Sequence, residues 1–162
     1  VLDLAGGDAA DVLARAEVVS EAIDTVMEGA AENDRFNELV VTAGLEPREA
    51  LLFRALFRYL RQTGMAYGMA TMAETLRREQ GIAKALVSLF AALHDPAHRD
   101  DARAAELQAE IDAGLTNVTA IDEDRVLRLL RAVITATLRT NFFAPQPPEA
   151  LAFKIDSAKV PG

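Results

Sequence analysis

With 162 residues, 51% of them hydrophobic, and a formal charge of −8, the chain is long enough for one domain with a real core or for two small helical subdomains. The acid excess argues against a nucleic-acid module, whose affinity comes from clustered Lys and Arg that release counterions from phosphates. Cysteine is absent, which excludes disulfides, thiolate metal sites and cysteine nucleophiles and fits a reducing cytoplasm, and no apolar run approaches the ~18 residues of a membrane span.

Val1 to Leu4 reads as the tail of a strand, broken by Gly6-Gly7 before Asp8, an expected N-cap. Val12, Ala16, Val19, Ile23, Val26 and Ala30 recur at three- and four-residue spacing and predict a first helix with one apolar stripe. The polar run Glu32-Asn33-Asp34 caps a second, shorter helix carrying Phe36, Leu39, Val40 and Ala43, and Gly44 ends it as a left-handed terminator. Pro47 then suits the first turn of a third helix, where its missing N–H costs nothing. Leu52, Phe53, Ala55, Leu56, Phe57, Tyr59 and Leu60 cover most of this helix, leaving a polar stripe of Arg54, Arg58 and Arg61; a helix so widely apolar should be central.

Gly64 and Gly68 bracket a Met-rich turn, and Thr71-Met72-Ala73-Glu74 has capping-box spacing for the start of a fourth helix. Ile82, Leu86, Leu89, Phe90 and Leu93 predict a fifth, stopped at Asp95-Pro96 because the residue before proline avoids helical geometry. Leu107, Ile111, Leu115 and Val118 mark a sixth. Asp122-Glu123-Asp124 places negative charge at the start of a seventh, whose apolar half runs through Val126, Leu127, Leu130, Val133, Ile134, Thr137 and Leu138, with Arg128, Arg131 and Arg139 opposite. Pro145, Pro147 and Pro148 then make a stiff linker, and Leu151 to Ile155 alternates with period two as a strand. Such a strand needs partners, which are expected outside this chain, in the domain that follows; the residues after about Pro145 are expected to be mobile or crystal-packed in this segment alone and ordered once that domain is present. The fold class is therefore all-α: a multi-helix bundle of about seven helices with a C-terminal strand-like tail. Residues 1–7 read as the exit of a preceding domain, 8–144 as the helical domain, and 145–162 as a linker and strand. The start at Val1 and the stop at Gly162 both read as domain boundaries.

Sites of chemistry are few. Gly6-Gly7 lacks the third glycine of a dinucleotide fingerprint, and no P-loop is present. His94, Asp95, His98, Asp100 and Asp101 have metal-binding chemistry, but Pro96 prevents the one helical face that would aim both histidines at an ion, so a solvated loop is the better reading. The stripe Arg54, Arg58, Arg61 could take a phosphate or an acidic partner through its guanidinium forks; an internally paired or solvated face is the plainer alternative. Asn117-Val118-Thr119 matches a glycosylation acceptor, with nothing to indicate secretion.

Several stretches together, in this order, resemble the large bacterial NAD-specific glutamate dehydrogenases: Asn33-Asp34-Arg35-Phe36-Asn37 with Leu39-Val40, Ala43-Gly44-Leu45 with Arg48-Glu49, Tyr59-Leu60-Arg61-Gln62, Asp122-Glu123-Asp124-Arg125, Ala136-Thr137-Leu138-Arg139-Thr140-Asn141-Phe142, and Phe153-Lys154-Ile155-Asp156 with Val160-Pro161. They cover the chain from about Glu32 onward; Val1 to Ala31 and Gly81 to Ala120 match only in helical character. The resemblance implies a parent enzyme that oxidatively deaminates L-glutamate to 2-oxoglutarate and ammonium with reduction of NAD. It also implies that the cofactor fold and catalytic lysines lie C-terminal to this segment, so that no catalytic, cofactor or metal residue is assigned here. The expected role is a helical connector in the cytoplasm. Its partners would be the neighbouring catalytic and regulatory domains and other subunits of a homo-oligomer, with no nucleic acid and no membrane. The alternatives are an effector-binding module using Arg54, Arg58 and Arg61, and a free-standing helical interaction domain.

Overall fold

The computed structural model describes residues 13–14, 16–27, 34–145 and 150–161. The readings placed on Val1 to Val12, on Ala30 to Asn33 and on Pro147 and Pro148 lie outside the described residues. Among the described residues seven α-helices run in order: α1 (Ala16–Met27), α2 (Glu38–Thr42), α3 (Pro47–Gln62), α4 (Met69–Arg78), α5 (Gln80–His94), α6 (Asp101–Leu115) and α7 (Ile121–Ala136). Two short strands follow, β1 (Thr137–Thr140) and β2 (Phe153–Ile155), and 3-10 turns at Arg35–Asn37 and Ser157–Lys159 complete the described elements. The all-α class and the number of helices are as the periodicities predict.

Local chemistry explains most helix ends. Asp34 stands in extended backbone ahead of the Arg35–Asn37 turn and accepts the Phe36 N–H at 2.9 Å. Gly44 takes φ +65°, which lets the Leu45 N–H return to the Leu39 carbonyl and close α2. At α3 the Glu46 and Glu49 side chains form a reciprocal capping box, with Pro47 inside the first turn. Asp100 caps α6 by accepting the Arg103 N–H at 2.9 Å. A β-carbon added at Gly114 of α6 would lie 3.0 Å from Ile82 Cγ1, so α5 and α6 pack closely enough that any side chain here would push Ile82 aside.

One hydrophobic core runs through α2 to α7. Phe36 and Leu39 meet Leu52, Phe53, Leu56 and Leu60 of α3; Met72 and Leu76 of α4 lie beneath, and Leu86, Leu89, Leu107, Ile111, Val126, Leu130 and Val133 continue it, all at most 2% exposed. Helix α3 is central as its breadth of apolar residues predicts, with Ala50, Leu52, Phe53, Leu56, Phe57 and Leu60 buried. Helix α1 is different. It packs against α2, yet Ile23 of its stripe is 40% exposed and the nearby Leu13 is 76% exposed.

Three expectations are corrected. Helix α4 starts at Met69 behind Gly68, not at the Thr71 capping box, because Glu74 gives its carboxylate to Arg77 and Arg78 instead of the helix N-terminus. Helix α7 ends at Ala136, and Thr137 and Leu138 belong to β1. The Thr137 hydroxyl donates to the Val133 carbonyl at 2.8 Å while the Asp156 N–H donates to the Ala136 carbonyl at 2.9 Å, and this second, distant bond turns the chain out of the helix. The C-terminal strand consequently has its partner inside the chain. β1 and β2 pair antiparallel, Thr137 with Ile155, Arg139 with Lys154 and Thr140 with Phe153, with a bulge between Thr137 and Arg139.

Candidate interdomain site

Of the three candidate arginines, only two share an outer face. Arg54 points into the core, its side chain 4% exposed, where Nε donates to Asp34 Oδ2 at 2.6 Å and Nη2 to Asp34 Oδ1 at 2.9 Å and Asn37 Oδ1 at 2.8 Å. This is a bidentate fork on a carboxylate that simultaneously caps the Arg35–Asn37 turn, so it locks α3 to the segment ahead of α2. Arg61 is exposed and donates to the Met65 carbonyl at 2.6 Å, fixing the turn at Gly64, and Arg58 is exposed on the same side of α3. The structure thus separates Arg54 from Arg58 and Arg61, and the reading of three guanidiniums on one anion does not fit it.

The histidines are likewise separated. His94 is the last residue of α5 rather than part of the loop, and its Nε2 lies 3.2 Å from the Ile134 carbonyl of α7. Burial pushes this imidazole below the ordinary histidine range, partly offset by that carbonyl. His98 is exposed beside Asp95, whose carboxyl is held low by the His98 ring and by the Ala97 N–H. Among the described residues no group of three or more His, Asp or Glu side chains converges as a metal site. A cavity of about 190 Å³ lined by residues 63–67, Leu129 and Pro161 is mostly apolar. No helix among the described residues is long and apolar enough to cross a membrane.

The interactions that join the early helices to the C-terminal part are more informative. Phe90 of α5 is 1% exposed and anchors an aromatic cluster: its ring centroid lies 5.3 Å from Phe142, edge-on, 5.6 Å from Phe143, stacked, and 6.2 Å from Phe153 of β2. The Arg48 guanidinium of α3 sits 4.7 Å from the Phe142 centroid. On the other flank Arg78 reaches Glu123 at 3.1 Å and the Tyr67 hydroxyl donates to Asp122 at 3.0 Å, tying α4 and the loop before it to the first turn of α7. Sequence periodicity has no access to these joins. The run Phe142-Phe143 is visible as a pair of aromatics, but its target is not.

Acid unfolding should report Glu74. Hydrogen bonds from Arg77 and then Arg78 lower its pKa from 4.5 to about 2. Its contribution to stability is therefore complete above about pH 4.5 and is lost as the pH falls toward 2. The side chain is 42% exposed, so the contribution is small. Chemical unfolding between roughly pH 5 and pH 2 should show a shallower acid decline for Glu74→Gln than for the parent chain. Identical curves would remove Glu74 from the account.

Two family profiles match this architecture in succession. Residues 31–96 match the profile described as glutamate dehydrogenase, helical motif 3, and residues 110–162 match bacterial NAD-glutamate dehydrogenase, catalytic domain. The chain belongs to the bacterial NAD-specific glutamate dehydrogenase family. It is 37% identical over 160 residues to the NAD-specific glutamate dehydrogenase of Mycobacterium tuberculosis, covering 91% of this chain and 10% of that relative. The enzymes of the same name from Halomonas elongata and Pseudomonas aeruginosa are each 36% identical, over 147 and 154 residues, covering 88% and 90% of this chain and 9% and 10% of theirs. The chain therefore spans about a tenth of the length of the curated relatives it matches. In this glutamate dehydrogenase segment the two matched ranges share one core: the catalytic-domain match opens inside α6, which packs on α5, and takes in α7 and the β1–β2 ribbon.

Proposed function

We infer that this chain is the helical support on which the catalytic domain of a large NAD-specific glutamate dehydrogenase begins, a connector without catalytic residues of its own. The parent reaction would be oxidation of L-glutamate with NAD and water to 2-oxoglutarate, ammonium and NADH, with NAD held by other parts of the protein, in the cytoplasm. The observation that carries this reading is the common core: Leu86 and Leu89 on the helical-motif side and Leu107, Leu130 and Val133 on the α6–α7 side are buried in one hydrophobic cluster. A support of this kind transmits position, because its parts cannot move separately without opening that core. Neighbouring regulatory and catalytic domains, and other subunits of a homo-oligomer, are its expected partners. The effector-module alternative loses one of its three arginines, since Arg54 is committed to Asp34.

The test has two arms. The isolated chain should unfold in one cooperative transition, because residues 34–96 and 110–161 are not separable cores; two resolved transitions would contradict a shared support. The same preparation should show no glutamate-dependent NAD reduction above a buffer control, and specific turnover would place catalytic groups in this segment.

A further inference from the structure

The outer face of the β-ribbon carries a charge arrangement that the other described residues do not pair. Arg139 and Lys154 are directly paired across β1 and β2, so their side chains leave the ribbon on the same face, and both are exposed. Like charges placed directly opposite one another are destabilising. Neither residue has an ion-pair partner among the described residues, although Asp and Glu outnumber Lys and Arg by 25 to 17 in this chain. Leu138 lies beside them at the bulge and is 52% exposed. The opposite face of β2 is committed elsewhere: Phe153 and Ile155 are half-buried against the core, with Phe153 reaching Phe90.

Two adjacent cations and an apolar side chain on a flat, two-stranded surface suit a protein surface better than a small anion, which needs a concave, convergent site. Resting on the function proposed above, we propose that this face docks an acidic, partly apolar surface of the same polypeptide's catalytic domain, with carboxylates accepting from Arg139 and Lys154 and Leu138 covered between them. Two exposed cations with no ion pair among the described residues call for an acidic occupant, the ribbon lies in the range that matches the catalytic domain, and the chain spans only about a tenth of its relatives' length. The repulsion between the two cations is then tolerated in the ribbon because it is relieved on docking.

Amine acylation with peptide mapping, on the isolated chain and on the full-length enzyme, tests this. Lys84, Lys154 and Lys159 are the lysines of the chain, so the readout is unambiguous by peptide. Lys154 should react freely in the isolated chain and slow by about 10- to 100-fold in the full-length enzyme, the factor that a charge-assisted hydrogen bond to the amine implies. Arg139→Glu should raise the melting temperature of the isolated chain by about 1–4 °C by converting repulsion to attraction, and lower that of the full-length enzyme, where the introduced carboxylate would face other carboxylates. Equal Lys154 reactivity in both proteins overturns the proposal, as does slow reaction in the isolated chain, which would place the partner within these residues. Concentration-dependent protection of the isolated chain would assign the face to a second copy, and protection by added glutarate would assign it to a small dicarboxylate; either result replaces the docked domain. These readouts do not depend on turnover. A full-length protein that protects Lys154 but lacks glutamate oxidation would contradict the proposed function and leave the docking face standing.

Discussion

Replacing Asp34 by alanine is expected to cost about 3–5 kcal/mol, the loss typical of breaking a buried ion pair from one side. Arg54 is 4% exposed and Asp34 11%, so water cannot readily replace the carboxylate that accepts both the Nε and an Nη2 proton. The same carboxylate caps the Arg35–Asn37 turn through the Phe36 N–H, a contact worth about 0.5–2 kcal/mol by itself. Asp34→Asn keeps a capping oxygen and the shape but removes the charge, and should fall between alanine and the parent. The double replacement Asp34→Leu with Arg54→Met should recover much of the loss, because exchanging both members for apolar groups removes the need for compensation. Urea unfolding of the parent and these three variants measures this, and a loss below about 1 kcal/mol for Asp34→Ala would mean that solvent reaches the pair.

Phe90→Ala should be of similar size, about 3–5 kcal/mol, and different in where it is felt. Phe90 contacts Phe142, Phe143, Phe153 and His94, so truncation opens a cavity under the ribbon as well as within the helical core. Hydrogen exchange separates the two effects. The Asn141 N–H, bonded to the Ala152 carbonyl, and the Asp156 N–H, bonded to the Ala136 carbonyl, report the ribbon. Both should exchange faster in Phe90→Ala by more than the global loss of stability requires, while amides in the middle of α3 follow the global loss. A uniform change across the chain would show that the cluster does not specifically hold the ribbon. Phe153→Ala is the companion variant, expected to free the ribbon while leaving the helices folded.

The residues that locate this chain in its family are legible without coordinates, since Asp34-Arg35-Phe36-Asn37 and Leu138-Arg139-Thr140-Asn141 are local strings, but their roles are not. Asp34 is readable as a cap. Its grip on Arg54, 20 residues away, is not, because Arg54 falls in helical phase with Arg58 and Arg61 and periodicity reports only phase. In the candidate site this matters most. One arginine of the stripe is structural and buried, while Arg139 and Lys154, assigned by sequence to a helix and to an orphan strand, meet across a ribbon.

Residue pattern is enough to establish the all-α class, the seven helices among the described residues, the central place of α3, and the ends at Gly44, Pro47 and Asp95-Pro96. Those features arise from interactions within a few residues: apolar repeats at helical spacing, backbone geometry at glycine and proline, and side chains capping their own turn. Where α7 stops, and what Phe153 to Ile155 pairs with, emerges only in three dimensions. Thr137 and Leu138 continue the helical phase of α7, and β-branched Thr137 is compatible with either state. The choice is made by hydrogen bonds from residues beyond the proline-rich linker and by Phe153 packing on Phe90. Such bonds outweigh a helix propensity difference of about a few tenths of a kcal/mol per residue, and no local pattern in the chain encodes them.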